Sequence, residues 1–319
     1  MDQSSPPREL LIAHNVLESV DRVAGDRETT AFKQRARLHQ ALWRKAQGFP
    51  EGTEPTRPRV GAASRPIGIR LEVNFAFESG ANFVTHGARE AAQYRVERPE
   101  AKQTLNVDRL YADLLSSMPL CFNLFGPLWK DPEFATEAAH NWWFDAPGRL
   151  SSIRFEWSPG RQLRGRYLEN RTACDAAFEF TQADGSLGLV GVETKYHEHC
   201  KPEAPPSPDR VRRYLQVVGQ CGVFRSGAVD AILGTRLQQI FLDHLLVLSF
   251  LHDTARPHRW VKFVLVHPER NPSFAYAARD YAAFLSDVST FEVRTIESLL
   301  VQGSLPAEAI SAFRARYLW

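Results

Sequence analysis

Two acids and a lysine stand at the ends of two segments whose residues alternate in a strand-like pattern. Asp175 lies near the start of the first segment, and Glu193-Thr194-Lys195 closes the second. The turn between them, 183–185, contains Asp-Gly, which is a strong β-hairpin signal. Side chains alternate along a strand, so Glu193 and Lys195 share one face. The sequence therefore predicts that Asp175, Glu193 and Lys195 meet as a divalent-metal site beside a cation, which suits phosphodiester hydrolysis. An ion pair at a strand end would explain the same residues, because structural ion pairs also cluster charge.

The elements that must position these residues follow an α/β order, and the pattern predicts a mixed sheet flanked by helices. The predicted strands are 151–157, the two hairpin strands within 173–195, 259–266, 291–296 and a short strand at 69–75. The predicted helices are 29–46, a two-part stretch at 106–128, 132–144, 210–222, 235–252, 274–285 and 307–317. We interpret residues 1–48 as an N-terminal helical segment, 49–66 as a linker, and 67–319 as one domain with its core at about 104–296.

Composition narrows the function classes without choosing one. The 319 residues are 44% hydrophobic and 24% charged, as in ordinary globular proteins, and the net charge of +2 means that any nucleic-acid role rests on local patches. No apolar run reaches the roughly 18–20 residues of a membrane span. The first residues lack the features of a signal peptide. The four cysteines show no CxxC spacing, so we expect a cytoplasmic protein with reduced thiols. No GxxxxGK[ST] motif is present, which argues against ATP hydrolysis.

The Asp and Glu-x-Lys pattern resembles that of the PD-(D/E)XK nuclease superfamily, whose core is a helix, three strands, a helix and a strand. More closely, the chain resembles a bacterial restriction-endonuclease-like family within it. The resembling blocks are 32–44, 116–128, 155–161, 171–175, 191–195 and 237–246. Cys174 stands where the motif's name has Pro, a position that supplies no ligand. The resemblance implies a restriction-endonuclease-like fold and a nuclease.

The resemblance also implies roles for particular residues. Asp175, Glu193 and the Thr194 carbonyl would hold Mg²⁺ or Mn²⁺, and Lys195 would orient water or stabilise charge on the phosphate. An upstream acid completes the metal site in related nucleases, and Glu156 is the candidate. Pairing with a nearby arginine is the alternative for Glu156.

Residues that could contact the nucleic acid lie around these positions. The candidates are Arg161, Arg164, Arg166, Arg171, Gln216 and Gln239. The alternatives are a solvated loop for the arginines and an ordinary helix surface for the glutamines. Asp243 and His244 are either part of this set or a hydrogen-bonded pair in the core. A zinc site from His197, His199, Cys200 and Cys221 fits no common spacing.

Two functions therefore remain open. One is a Mg²⁺-dependent endonuclease acting on DNA, or on RNA, in restriction or other anti-phage defence, as a homodimer or in a larger complex. The other is a non-catalytic nucleic-acid-binding module or subunit that keeps the nuclease fold.

Overall fold

The computed structural model describes residues 4–54, 64–100, 105–159, 165–253, 256 and 258–319. The strands of these residues are β1 (Glu51–Thr53), β2 (Pro66–Leu71), β3 (Arg149–Trp157), β4 (Cys174–Thr181), β5 (Leu187–Thr194), β6 (His258–His267) and β7 (Phe291–Thr295). Strands β3 to β7 form one sheet in that order, while β1 and β2 pair separately. Neighbours among β3, β4 and β5 run antiparallel, and β5, β6 and β7 run parallel. The prediction of a mixed sheet is confirmed.

Helices cover both faces of this sheet, as expected for an α/β layer. The α-helices of the described residues are α1 (Arg8–Ala13), α2 (Arg27–Ala46), α3 (Val73–Ser79), α4 (His86–Glu97), α5 (Val107–Ala112), α6 (Ser117–Phe125), α7 (Pro132–Trp142), α8 (Pro208–Cys221), α9 (Ala228–Ile232), α10 (Gln238–Leu248), α11 (Pro272–Ala282), α12 (Ile296–Leu299) and α13 (Ala307–Tyr317). None of these helices is both long and apolar enough to cross a membrane.

Alternation along the central strands builds a separate hydrophobic core on each face. Phe178 and Val192 belong to the first core, with α6 and α7 above them, whereas Ala177 and Leu189 belong to the second, beneath α10. Gly191 lets α10 approach, because a Cβ at this position would stand 2.3 Å from Val247 Cγ2. Helix α10 is thereby held close against β5.

The helix α2 packs into the first core rather than standing apart from it. Asp26 caps its N-terminus by accepting a hydrogen bond from the Thr29 N–H. The side-chain amide of Gln40 donates to Tyr196 Oη at 3.0 Å and to the Arg316 carbonyl at 2.7 Å. Residues from early, middle and late parts of the sequence therefore meet just behind the end of β5. The domain boundaries at 48 and 67 stay a prediction.

Two sequence predictions are wrong in detail. The strand expected at 69–75 is β2, which ends at Leu71, and α3 begins at Val73. Glu72 causes the change, because its carboxylate accepts from the N–H groups of residues 74 and 75 and caps the helix. Regular alternation along the first hairpin strand predicts Cys174 on the same face as Ala176, but Cys174 packs in the second core together with Trp157 of the facing strand. The alternation of β3 changes at the residue before Trp157, as described below.

Candidate active site

Asp175 and Glu193 lie at the end of the central hairpin. The last pair of the β4–β5 ladder is Ala176 with Val192, so that Asp175 and Glu193 are the next residues on their strands. Asp175 Oδ2 accepts hydrogen bonds from the Thr194 N–H at 2.8 Å and from the Thr194 hydroxyl at 2.6 Å. The Asp175 carboxylate is therefore fixed against the end of β5, beside Glu193.

Glu156 brings a third carboxyl group from β3, and its backbone is unusual. The β3–β4 register places it across from Asp175. Its φ of 50° lies in the left-handed region, which non-glycine residues seldom adopt. The Arg95 guanidinium of α4 supports this conformation, since Nε donates to the Phe155 carbonyl at 2.8 Å and Nη2 to the Glu156 carbonyl at 3.3 Å. We call Glu156, Asp175 and Glu193 the acid cluster.

The pKa of each of the three carboxyl groups in the acid cluster is raised, mainly by burial. Burial raises the pKa of Glu156 to about 8, and the charges of Asp175 and Glu193 add to the effect. Burial, then the charge of Asp175, raises the pKa of Glu193 to about 7. Burial also raises the pKa of Asp175, although Lys195 and the two Thr194 hydrogen bonds act in the opposite direction. The cluster therefore concentrates more negative charge than the protein around it neutralises.

Lys195 is the cation that contacts the acid cluster directly. Its Nζ donates to Glu193 Oε1 at 2.6 Å, and its backbone N–H donates to the Val266 carbonyl at 2.8 Å. Burial alone would lower the pKa of Lys195, but the charge of Glu193 and the other nearby acids raises it above its ordinary value. Lys195 is consequently protonated at neutral pH.

Helix α10 adds two further side chains near Glu193. Gln239 Nε2 donates to Glu193 Oε1 at 3.0 Å, so this oxygen is shared with Lys195. Asp243 follows one turn later and is buried, and its Oδ2 has no hydrogen-bond partner within the described ranges. Burial, then the charge of Glu193, holds the pKa of Asp243 well above its usual range. Asp243 is thus a fourth carboxyl group beneath the cluster.

The chemistry of the acid cluster suits a hard divalent cation. Mg²⁺ and Mn²⁺ prefer carboxylate and carbonyl oxygens, which Asp175, Glu193, Glu156 and Thr194 can offer. In the present side-chain arrangement, however, no three His, Cys, Asp or Glu side chains of the described residues are grouped to hold a metal ion. The donor types fit a hard cation, and Glu193 Oε1 is at present shared by Lys195 and Gln239.

The predicted arginine contacts lie apart from the acid cluster. Arg166 forms an ion pair with Asp253 at 2.9 Å, and Arg171 is exposed. Arg161 and Arg164 lie outside the described residues. The structure brings neither Arg166 nor Arg171 into a hydrogen bond or ion pair with the three acids.

The two predicted glutamines differ in position. Gln239 reaches Glu193, as described above, whereas Gln216 is exposed on α8 and accepts a hydrogen bond from Arg213 at 2.8 Å. Helical spacing alone could not distinguish them, because the contact of Gln239 depends on how closely α10 packs against β5.

The histidines considered in the sequence have other partners. His244 Nδ1 lies 2.9 Å from Tyr281 Oη and its Nε2 lies 3.1 Å from Thr290 Oγ1, so the interpretation of Asp243 and His244 as a bonded pair is wrong. Consecutive helical residues point about 100° apart, which sends His244 into the second core and Asp243 towards Glu193.

The possible zinc ligands are likewise engaged elsewhere. His197 Nδ1 lies 3.1 Å from the Leu115 carbonyl, and His199 Nδ1 lies 3.2 Å from Lys33 Nζ. Cys200 and Cys221 are free thiols. These contacts give the zinc alternative no support.

Sequence reasoning missed Arg95, Arg109 and Lys33. Arg109 donates to Ser116 Oγ at 2.7 Å. Its charge lowers the pKa of Glu156, but by less than burial and the charges of Asp175 and Glu193 raise it. Arg95 and Lys33 lie on helices far from the motif in sequence, and no local pattern marks either of them.

Comparison with known proteins adds one finding. A family model described as PD-(D/E)XK nuclease superfamily matches residues 26–319, which is nearly the whole chain. No curated protein and no solved structure matches it.

Proposed function

The chain belongs to the PD-(D/E)XK nuclease superfamily, and on this premise we propose that it is a metal-dependent endonuclease that hydrolyses phosphodiester bonds in DNA. The observation that carries the proposal is the convergence of three carboxyl groups on adjacent strand ends with Lys195 bonded to one of them. A structural ion pair with Lys195 would need one acid, whereas the acid cluster contains three carboxyl groups.

The cation would be held by Asp175, Glu193 and the Thr194 carbonyl, with Glu156 completing the set. When bound, Mg²⁺ or Mn²⁺ polarises the scissile phosphate and lowers the pKa of a coordinated water. The hydrogen bonds from Thr194 keep the Asp175 carboxylate oriented for this role.

Lys195 would act on the substrate as a fixed cation. Because its ammonium group is protonated and bonded to Glu193, it stands beside the position where charge develops on the phosphate. The ammonium group has three N–H donors, and those not bonded to Glu193 could donate to a phosphate oxygen or orient the attacking water.

The substrate class is supported by cations near the acid cluster. The charge of Arg109 acts on Glu156, while Lys201 and Arg236 line a cavity together with Lys195. Phosphate contacts of this kind give affinity without reading sequence. We propose DNA as the substrate, with RNA as the other candidate, in restriction or anti-phage defence as a homodimer or within a larger complex. Four free cysteines support a reducing cytoplasmic location.

A plasmid-cleavage assay tests the proposal. We expect nicking or linearisation in Mg²⁺ or Mn²⁺ and none in EDTA. Asp175→Asn and Lys195→Ala should abolish it. Asp184→Asn is the matched control, because Asp184 lies in the exposed turn at the opposite end of the hairpin.

Two results would contradict the proposal. One is metal-dependent cleavage that survives in both site variants, which would place the activity outside the acid cluster. The other is no cleavage by the unmodified chain on DNA or RNA although it binds them, which would instead identify a non-catalytic binding module.

A further inference from the structure

A cavity of about 290 Å³ adjoins the acid cluster on the far side of Lys195. It lies between α2, the segment that follows β5 and the start of α10, and Phe274 and Ile240 line it as well. Four cationic side chains face it, and these are Lys33, Lys195, Lys201 and Arg236. We call this cavity the lysine pocket.

The buried end of the lysine pocket is built around Lys33. This side chain is only 5% exposed, and its Nζ donates to the Val20 carbonyl at 2.8 Å. The same Nζ lies 3.2 Å from His199 Nδ1. A protonated lysine can only donate, so Nδ1 accepts and the ring proton of His199 lies on Nε2. His199 therefore offers an N–H donor from the pocket wall.

The positive charges of Lys33 and Lys201 at this end of the pocket have no contacting carboxylate among the described residues. Within the described ranges neither Lys33 nor Lys201 forms an ion pair with a carboxylate. Burial lowers the pKa of His199, and the charges of Lys33 and Lys201 lower it further. The charges of Asp21 and Glu198 act on Lys33 as well, but neither acid contacts it.

Two acids, Glu198 and Glu203, also line the pocket. Glu198 accepts from the Tyr196 N–H at 2.8 Å, and Glu203 accepts from Gln238 at 3.1 Å. Two of the four cations are already paired, since Lys195 bonds Glu193 and Arg236 bonds Asp280. In the part of the chain that the structure describes, Lys33 and Lys201 have no such contacting acid, so they are the cations of the pocket left to bind an anion.

We propose that the lysine pocket binds a phosphate group of the nucleic-acid strand, next to the phosphate held at the acid cluster. Lys201, the His199 Nε2–H and Lys33 are the groups that would bind it. Lys195 lines the pocket while its Nζ contacts Glu193, so the two phosphates would lie on either side of one lysine. This inference rests on the proposed function for the identity of the strand, but it does not require cleavage.

The test measures binding in EDTA, by fluorescence anisotropy of a short labelled DNA oligonucleotide over a range of salt concentrations. Lys201→Ala and His199→Ala are the test variants, because both side chains reach the pocket surface and neither belongs to the acid cluster. Arg259→Ala is the matched control, since Arg259 is 72% exposed at the start of β6, at the other end of the sheet. Lys201→Ala should weaken binding several-fold at low salt and lower the log–log salt slope by about one.

Three ligands distinguish the source of the phosphate. If Lys201→Ala weakens the affinity equally for oligonucleotides with and without a 5′-phosphate, the pocket binds an internal phosphate of the strand. Loss confined to the phosphorylated oligonucleotide assigns it to a terminal phosphate. Binding of inorganic phosphate that Lys201→Ala abolishes, with no change in the affinity for either oligonucleotide, assigns the pocket to the anion alone and would overturn the placement on a strand.

An affinity and salt slope of Lys201→Ala and His199→Ala equal to those of Arg259→Ala would overturn the proposal. The outcome is separate from that of the cleavage assay. If the protein never cleaves but Lys201→Ala lowers the salt slope, the pocket proposal stands without the nuclease. If the protein cleaves and Lys201→Ala leaves the salt slope unchanged, the nuclease proposal stands without the pocket.

Discussion

We expect the acid cluster to make metal binding strongly dependent on pH. In the metal-free protein the pKa of Glu193 is about 7 and that of Glu156 is about 8, so near neutrality Glu193 is about half protonated and Glu156 is mostly protonated. A cation needs them ionised, and its binding must therefore release protons. Affinity for Mg²⁺ should rise with pH until both groups are ionised without it.

The pKa values set the size of this effect. At about pH 6, roughly one Glu193 in ten and one Glu156 in a hundred is ionised, so the apparent affinity should be weaker than at about pH 9 by two to three powers of ten. Metal at about 100 times its Kd stabilises a protein by about 2.7 kcal/mol. For 319 residues, with an unfolding entropy of about 2.1 cal/mol/K per residue, this corresponds to a rise in Tm of about 4 °C.

Thermal unfolding at constant ionic strength is the assay. One Mg²⁺ concentration that raises Tm by about 4 °C at about pH 9 should have almost no effect at about pH 6. Glu193→Gln should remove the rise at the higher pH, whereas Asp184→Asn in the exposed turn should retain it. A Tm increase of equal size at both pH values, or one that persists in Glu193→Gln, would refute the reasoning.

Three further outcomes follow from particular contacts. The pKa of Glu156 in the folded protein lies above its unfolded value near 4.5, so the native state holds a proton that the unfolded state releases. The free energy of unfolding of the metal-free protein should therefore fall as pH rises from about 4.5 to 8. Chemical denaturation at a series of pH values should show this fall, and Glu156→Gln should reduce it. Arg95→Met should lower kcat or metal affinity at least tenfold, because the Glu156 backbone loses its support; a Glu156→Gln background in which Arg95→Met costs equally much would contradict this. Arg37→Met leaves Asp21 buried without its bidentate partner and should cost about 3–5 kcal/mol in unfolding free energy, well beyond the cost of exposed Arg149→Met.

Much of the hairpin could be predicted because its signals are local. The Asp-Gly turn requires a left-handed residue, and Gly185 has a φ of 79°. Alternation then orders the residues of both strands, so Asp175 and Glu193 follow from counting outward from the turn. The predicted helix at 307–317 coincides with α13 for the same reason, since its periodicity is continuous.

Other features could not be predicted because they depend on distant residues. Helix α4 was not predicted, as its buried face consists largely of alanines such as Ala88 and Ala92, which give weak periodicity. Its Arg95 contacts the strand some 60 residues later, and the left-handed backbone of Glu156 has no signal in its own residue type. The lysine pocket pairs Lys33 with His199 across a separation of 166 residues.

The hydrogen bonds of Gln40 have a consequence for the protein while it is being made. Tyr196, directly after Lys195, is held by Gln40 of α2 and by the Tyr317 carbonyl of α13, 121 residues further along the chain. A ribosome that has just added Tyr196 has supplied the acid cluster and Lys195 but not the helix whose carbonyl bonds Tyr196. We expect a nascent chain released before α13 to hold Lys195 loosely and to cleave poorly. Cleavage of nucleic acid would then begin only after α13 has been synthesised and has packed against α2.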